Sequence, residues 1–380
     1  MRKKTIYYWS PFFTKIATIH AVINSAGSLM KYSNNYECYI INAIGEYYEY
    51  LDQIKIKQIK LYNFFKKNLK SIFPKYGFIR SRFSYLLIFI LCFFPLKKLL
   101  RVQKPDYIII HLITSLPLIL FTLNKFSTKC ILRISGYPRL NFFRIFLWKL
   151  ALKNVYKITC PTVGTYNYLV KLDLVNKEKI IILRDPILDI SEIIKKKKEK
   201  IENSKSEFLF SAGRLTKQKN FIFLINAFSV IEKRYNNLNL LIAGEGEEKE
   251  KLVRLIKNKK LENKIFLIGH IKNVFKYMNK CKYYVSSSMW EDPGFVLIEA
   301  AGCRTLLISS DCDNGPKEFI EENKCGYLFK KNDINSFVNK FQECNEEPLN
   351  LKKIKLFNAL KKSRLFTKYY HFKKLNNILI

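Results

Sequence analysis

Four short runs in the first half of the chain are apolar at consecutive positions: PDYIIIHL (105–112), KCILRIS (129–135), VYKITCP (155–161) and KIIILRD (179–185). A strand with one wet face alternates apolar and polar residues. Continuous Ile and Leu mean that both faces are covered. Segments long enough for helices lie between the runs, so the pattern predicts a parallel sheet sandwiched by helices. KKTIYYW near residue 6 and ECYIINA (37–43) add two further strands. The second half repeats the plan with FLFSAG (208–213), LNLLIAG (238–244), KIFLIG (264–269), KYYVSSS (282–288) and TLLISS (305–310). EEKEKLVRLIKNKK (247–260) reads as an amphipathic helix, acids first and bases last, in keeping with the helix dipole.

A chain of 380 residues is too long for one ordinary core. Between the two strand series, residues 190–207 (ISEIIKKKKEKIENSKSE) are charged and poor in aromatics. The expected division is a Rossmann-like domain over 1–190, a charged linker over 191–206 and a second Rossmann-like domain over 207–350. Helices over 351–380 are expected to return to the first domain. Ligands of such sheets sit at the carboxyl ends of the strands.

The formal net charge is +36. Residues 1–190 hold 30 Lys and Arg against 9 Asp and Glu, so the first half is the more one-sided. Such a field favours phosphorylated ligands, an anionic membrane surface or nucleic acid. A compositional origin is the alternative, because the chain is rich in Lys, Ile, Asn and Tyr throughout. No groove-reading helix or base-stacking module is evident, which argues against nucleic acid. The nine cysteines show no C-x-x-C spacing and read as reduced thiols. Lys15 and His20 interrupt any signal-like apolar segment. Residues 83–96 form the longest apolar run, short of the roughly 20 residues a membrane span needs. With Arg82, Lys97 and Lys98 as flanks, the run reads as a core helix or as a monotopic membrane contact.

Two stretches carry chemistry. In SAGRLTKQKN (211–220) a strand ends at Gly213, and Arg214 and Lys219 follow. Arg214 offers a planar fork to phosphate oxygens, Lys219 a point charge. A helix start just behind would add backbone N–H donors. In SSSMWEDPGFVLIEA (286–300), Glu291 precedes a helix expected from Gly294, and Glu299 lies in its second turn. Carboxylates there suit sugar hydroxyls, while the helix dipole and Arg214 suit a diphosphate. DCD (311–313) imitates a D-x-D metal motif but follows the last core strand, and no metal is expected.

These stretches, with LIAGEGEEKEKL (241–252), FLIGHIKNV (266–274) and NGPKEFI (314–320), resemble in order the donor domain of the retaining GT-B glycosyltransferases of family four, the glycosyl transferases group 1. The resemblance covers residues 208 to about 344, through GRL-x-x-x-K and E-x7-E. It implies a GT-B fold of two doubly wound Rossmann-like domains facing a central cleft. The first domain would bind an acceptor, the second a nucleotide-diphosphate sugar.

Carried over by position, Arg214, Lys219, Gly294 and Phe295 would bind the donor diphosphate. Glu291 would contact the transferred sugar and Glu299 the ribose, and Gly269 and His270 would border the nucleobase. His111, ending the strand PDYIIIH, would be a second catalytic group with Glu291, and Thr14 and Lys15 would lie on the acceptor side. The implied activity is metal-independent hexosyl transfer with retention, without a cofactor, to a saccharide acceptor, plausibly lipid-linked. The setting would be bacterial lipopolysaccharide or capsule assembly at the inner face of the cytoplasmic membrane. The paired glycines of the family's acceptor loop are missing from SPFFTKIAT (10–18), and Pro293-Gly294 replaces the common Phe-Gly. Rival readings are a GT-B epimerase or phosphorylase, or a basic nucleic-acid-binding protein.

Overall fold

The computed structural model describes residues 2–13, 17–70, 78–138, 141–201 and 206–380. Thr14 and Lys15 lie outside them. The chain forms two compact units, one of residues 1–186 with 368–380, the other of residues 187–367.

The first unit is built on seven parallel strands: β1 Lys4–Trp9, β2 Tyr36–Asn42, β3 Lys60–Asn63, β4 Tyr107–Ile110, β5 Lys129–Arg133, β6 Lys157–Cys160 and β7 Ile180–Ile182. Their order is β3-β2-β1-β4-β5-β6-β7. The period of two explains the continuous apolar runs. In β1, Tyr7 and Trp9 enter one core layer while Ile6 and Tyr8 enter the other; in β4, Ile108 and Ile110 oppose Tyr107 and Ile109. One layer is closed by the helices Phe78–Val102, Ser115–Leu123 and Phe142–Leu152. Residues of Ala17–Tyr32 and Lys368–Leu379 fill the other.

The second unit has six parallel strands: β8 Glu207–Ala212, β9 Leu238–Ala243, β10 Ile265–Leu267, β11 Tyr283–Ser286, β12 Leu307–Ser310 and β13 Tyr327–Phe329. Their order is β10-β9-β8-β11-β12-β13. The strand sequence reverses direction between β8 and β11, which leaves a crevice at their carboxyl ends.

The structure departs from the sequence reading at three places. The expected linker over 191–206 opens with a helix, Ile190–Lys196, whose Ile193 packs in the second unit's core beside Leu188 and Ala301. The expected return to the first unit at 351 comes later. Helix Leu349–Ser363 stays with the second unit because Ala359 and Phe366 bury against Ile298, Ala301 and Phe319. Only Lys368–Leu379 belongs to the first unit. There the Leu379 carbonyl accepts from Lys4 Nζ (2.6 Å) and Tyr107 OH (2.9 Å), and Asn376 Oδ1 accepts from Tyr36 OH (2.7 Å). Finally, the apolar run at 83–96 lies within a longer helix, Phe78–Val102.

At the carboxyl rim of the first sheet, Arg133 and Asp185 make a bidentate pair (Nε–Oδ1 3.0 Å, Nη2–Oδ2 2.5 Å) with both side chains buried. Removing one partner strands a buried charge, whereas replacing both with apolar groups does not. Arg133→Ala is therefore expected to cost about 3–5 kcal/mol in urea unfolding, and Arg133→Met with Asp185→Leu to recover most of that loss.

Candidate active site

At the β8–β11 switch point two loops are laced together. Gln218 Nε2 donates to the Trp290 carbonyl (3.0 Å), and the Met289 N–H donates to the Gln218 carbonyl (2.8 Å). Ser287 Oγ donates to the Lys219 carbonyl (2.8 Å), and Ser310 Oγ to the Ser288 carbonyl (2.6 Å). The lacing brings Lys219 Nζ onto Glu291 Oε1 as an ion pair with little exposure on either side. Ser288 Oγ donates to the same Glu291 oxygen (2.7 Å), which fixes the carboxylate from a second direction.

Behind Glu291 begins the helix Phe295–Gly302. Its N-cap Gly294 has φ of 90°, a left-handed conformation that favours glycine, and supplies no side-chain cap. The first-turn amides at Phe295, Val296 and Leu297 thus lack intrahelical acceptors and suit an anion. Gly315 allows the loop its course, since a side chain there would stand 1.7 Å from the Pro293 carbonyl oxygen. Asn314, bridged to Glu291, and Thr216 each carry a buried side-chain oxygen without a hydrogen-bond partner.

Arg214 stands exposed at the end of β8, its guanidinium 3.4 Å from Gln218 Oε1. Glu299 sits in the second turn of the helix. Burial pushes its carboxyl up to about 7, Glu192 adds to the rise, and Lys219 and Lys196 oppose it. Gly269, with φ of 68°, follows β10 on the same rim, and its carbonyl accepts from the Gly244 N–H (2.7 Å). His270 beside it is exposed. The second unit thus assembles Arg214, Lys219, Glu291, Gly294, Phe295 and Glu299 around one strand end and one helix start.

His111 belongs to the first unit, at the end of β4. It is buried, its Nδ1 has no partner, and burial beside Arg133 holds its pKa well below the usual histidine range. At the end of β5, Arg133 is locked to Asp185. His371, which lacked any context in the sequence, lies in the same buried cluster. Its Nε2 is 2.8 Å from Ser25 Oγ and its Nδ1 2.7 Å from the Arg184 carbonyl. Among the described residues no three His, Cys, Asp or Glu converge as a metal site. Asp311 of the D-x-D look-alike accepts the Lys331 N–H (2.8 Å).

Residues 192–359 match the family model for glycosyl transferases group 1. The match lies within the second unit and covers less than half of the chain. An uncharacterised glycosyltransferase of Methanocaldococcus jannaschii is 32% identical over 251 residues, 60% of this chain and 61% of the relative. The N-acetylgalactosamine-N,N'-diacetylbacillosaminyl-diphospho-undecaprenol 4-alpha-N-acetylgalactosaminyltransferase of Campylobacter jejuni is 35% identical over 173 residues, 46% of each chain. The chain thus spans about half of the curated relatives it matches. The crystal structure of Anabaena HepE in complex with UDP and glucose superposes with a TM-score of 0.74 at 14% identity, covering 100% of this chain and 99% of that one. The fold of the chain is GT-B.

The ion pair and Glu299 give separable expectations. Lys219→Ala and Glu291→Ala should each lower stability by about 1–3 kcal/mol, and the double change should cost less than their sum. Glu299 has a folded pKa above its ordinary value of 4.5. Its contribution to stability therefore falls as pH rises from 4.5 to about 7 and stays low above that. Glu299→Gln should raise stability at pH 8 by about 1–3 kcal/mol. If the carboxylate serves a ligand, the same substitution should also weaken nucleotide binding and remove an inflection near pH 7. Thermal unfolding and calorimetry at several pH values read both.

Proposed function

We propose that the chain transfers a sugar from a nucleoside-diphosphate sugar to a saccharide acceptor, with retention at the anomeric carbon and without a metal. The observation that carries this reading is the convergence of two cations, two carboxylates and an uncapped helix N-terminus at one sheet switch point. The diphosphate lies against the first-turn amides of Phe295–Gly302, with Arg214 and Lys219 on its oxygens. To reach it, Lys219 exchanges the Glu291 carboxylate for phosphate, and Glu291 becomes an acceptor for a sugar hydroxyl. Glu299, ionised above about pH 7, accepts the ribose hydroxyls, and the base lies toward Gly269 and His270. The partnerless oxygens of Thr216 and Asn314 add two further groups that a hydroxyl-rich ligand satisfies.

In the reaction the bond from the anomeric carbon to the β-phosphate oxygen breaks, and charge grows on that oxygen. Fixed cations and amide dipoles stabilise it there. The acceptor hydroxyl forms the new bond from the same face, and its proton passes to the departing phosphate oxygen. No covalent intermediate is invoked. His111, neutral at pH 7, offers its unpaired Nδ1 to a saccharide hydroxyl on the first unit. The Campylobacter relative is named for a diphospho-undecaprenol-linked substrate, and this supports a lipid-linked acceptor in surface polysaccharide assembly at the inner face of the cytoplasmic membrane.

UDP is the first nucleotide to test, given the Anabaena complex. Calorimetry should show one saturable UDP site, weakened at least about tenfold by Arg214→Ala with Lys219→Ala. Failure to bind UDP, GDP and ADP alike would remove the donor-site reading.

A further inference from the structure

On one side of the first sheet, the helices Phe78–Val102, Ser115–Leu123 and Phe142–Leu152 lie next to one another in that order. Each buries one face. Ile88, Cys92, Leu96 and Leu99 of the first and Leu116 and Leu120 of the second enter the core, as does Leu152 of the third. A helix on the surface of a globular unit ordinarily turns polar residues outward. These three do not. Phe83, Leu86, Ile90 and Phe94 form an outward stripe at helical spacing, with Phe94 74% exposed. Ile119 and Leu123 continue it on the second helix, and Leu123 is 69% exposed. On the third, Phe142 is 91% exposed, and Phe143, Phe146 and Leu150 follow. A groove of about 550 Å³ runs between the second and third helices, lined by Leu118, Leu123, Leu147 and Trp148 among others. An apolar surface this continuous is a site of contact.

Charge identifies what it contacts. From residue 53 to residue 172 the chain has one acidic residue, Asp106, and 22 Lys and Arg. Asp106 is engaged by the Thr5 N–H (2.7 Å) and hydroxyl (3.0 Å). Lys97, Lys98 and Arg101 stand beside Phe94 in a second concavity, and Lys149 is exposed among the phenylalanines of the third helix. A second copy of the chain would set these like charges against one another. Nucleic acid would satisfy the bases and leave the Phe, Leu and Ile side chains wet. An anionic bilayer surface satisfies both, as phosphates meet the bases and the acyl boundary takes the apolar side chains.

The helices lie in the plane of that surface. Phe83–Val102 is 20 residues long and mostly apolar, yet about a third of it is buried on the sheet side. The other two, of 9 and 11 residues, are far short of a span.

We propose that this three-helix face docks the protein onto an anionic leaflet, with Phe94, Leu123, Phe142 and Phe146 entering the acyl boundary and Lys97, Lys98 and Lys149 on lipid phosphates. It rests on the transfer reading for its purpose alone, which is to hold the enzyme where a lipid-linked acceptor is found.

The test is co-sedimentation with vesicles of phosphatidylcholine, alone or mixed with phosphatidylglycerol. Wild type is compared with Phe94→Ser/Phe142→Ser/Phe146→Ser and with Lys97→Gln/Lys98→Gln/Lys149→Gln. The altered side chains lie outside the nucleotide site, and thermal unfolding checks the fold of each variant. Wild type should pellet with the anionic vesicles and do so less as salt is raised. Both variants should partition about tenfold or more weakly. A wild type that stays in solution at low salt overturns the proposal. So does equal pelleting of the phenylalanine variant, which would make the attraction purely electrostatic. A lipid-free dimer that the phenylalanine changes dissociate would assign the face to a second copy and overturn it too. UDP calorimetry on the same samples separates the two readings: vesicle binding without nucleotide binding would defeat sugar transfer and leave the docking face standing.

Discussion

The site depends on β8 and β11 being neighbours in a parallel sheet. Lys219 and Glu291 are 72 positions apart, and only strand order brings them together. Because all strands of the sheet run the same way, both follow a carboxyl end and emerge on one rim. Ser287, the Gln218 side chain and one backbone bond fix the two loops to each other, while Ser288 holds Glu291 from within its own loop and Ser310 ties that loop to β12, so the ion pair is held from its surroundings. In the ligand-free protein the two charges neutralise each other in a poorly solvated place. On the proposed reading, a diphosphate would offer the lysine a stronger counter-charge and release the carboxylate for hydroxyl groups, coupling a bound anion to a freed acceptor through one pair.

The two sheets treat their rims differently. In the second unit the rim ends in glycines, an uncapped helix and exposed Arg214. In the first unit the rim is filled with polar groups that satisfy one another. Arg133 grips Asp185, and His371 bridges Ser25 and the Arg184 carbonyl. His111 Nδ1 remains without a partner in that cluster. Burial keeps both histidines neutral near pH 7, His371 being held down to about 4. The cluster also anchors the last helix to the first sheet.

Much of this was legible in the sequence where local physics dominates. Strands β4 to β7 announce themselves because burial on both faces demands unbroken apolar runs. β3 was invisible because an edge strand with two exposed ends, KLYN, carries no such signal. Glu291 and Glu299 are pointed to by the E-x7-E resemblance, since two carboxylates around an apolar helix start carry little signal by themselves. Ser287 and Ser288 could not, since serines after a strand have no periodicity and gain meaning only from the loop across from them. The Arg133–Asp185 pair spans 52 positions, and no local pattern in the sequence announces it. The end of the second unit lies later than the sequence suggests because helix Leu349–Ser363, rich in Lys, buries only Ala359 and Ser363.

Amide hydrogen exchange with and without saturating UDP tests the donor site most directly, because it reports where the nucleotide lies as well as whether it binds. Slowed exchange is expected in two segments of the second unit, 213–220 and 291–298, with smaller effects near 269. Slowed exchange confined to other segments, or none with UDP, GDP or ADP, would contradict the assignment of the β8–β11 rim as the place where a nucleotide sugar is held.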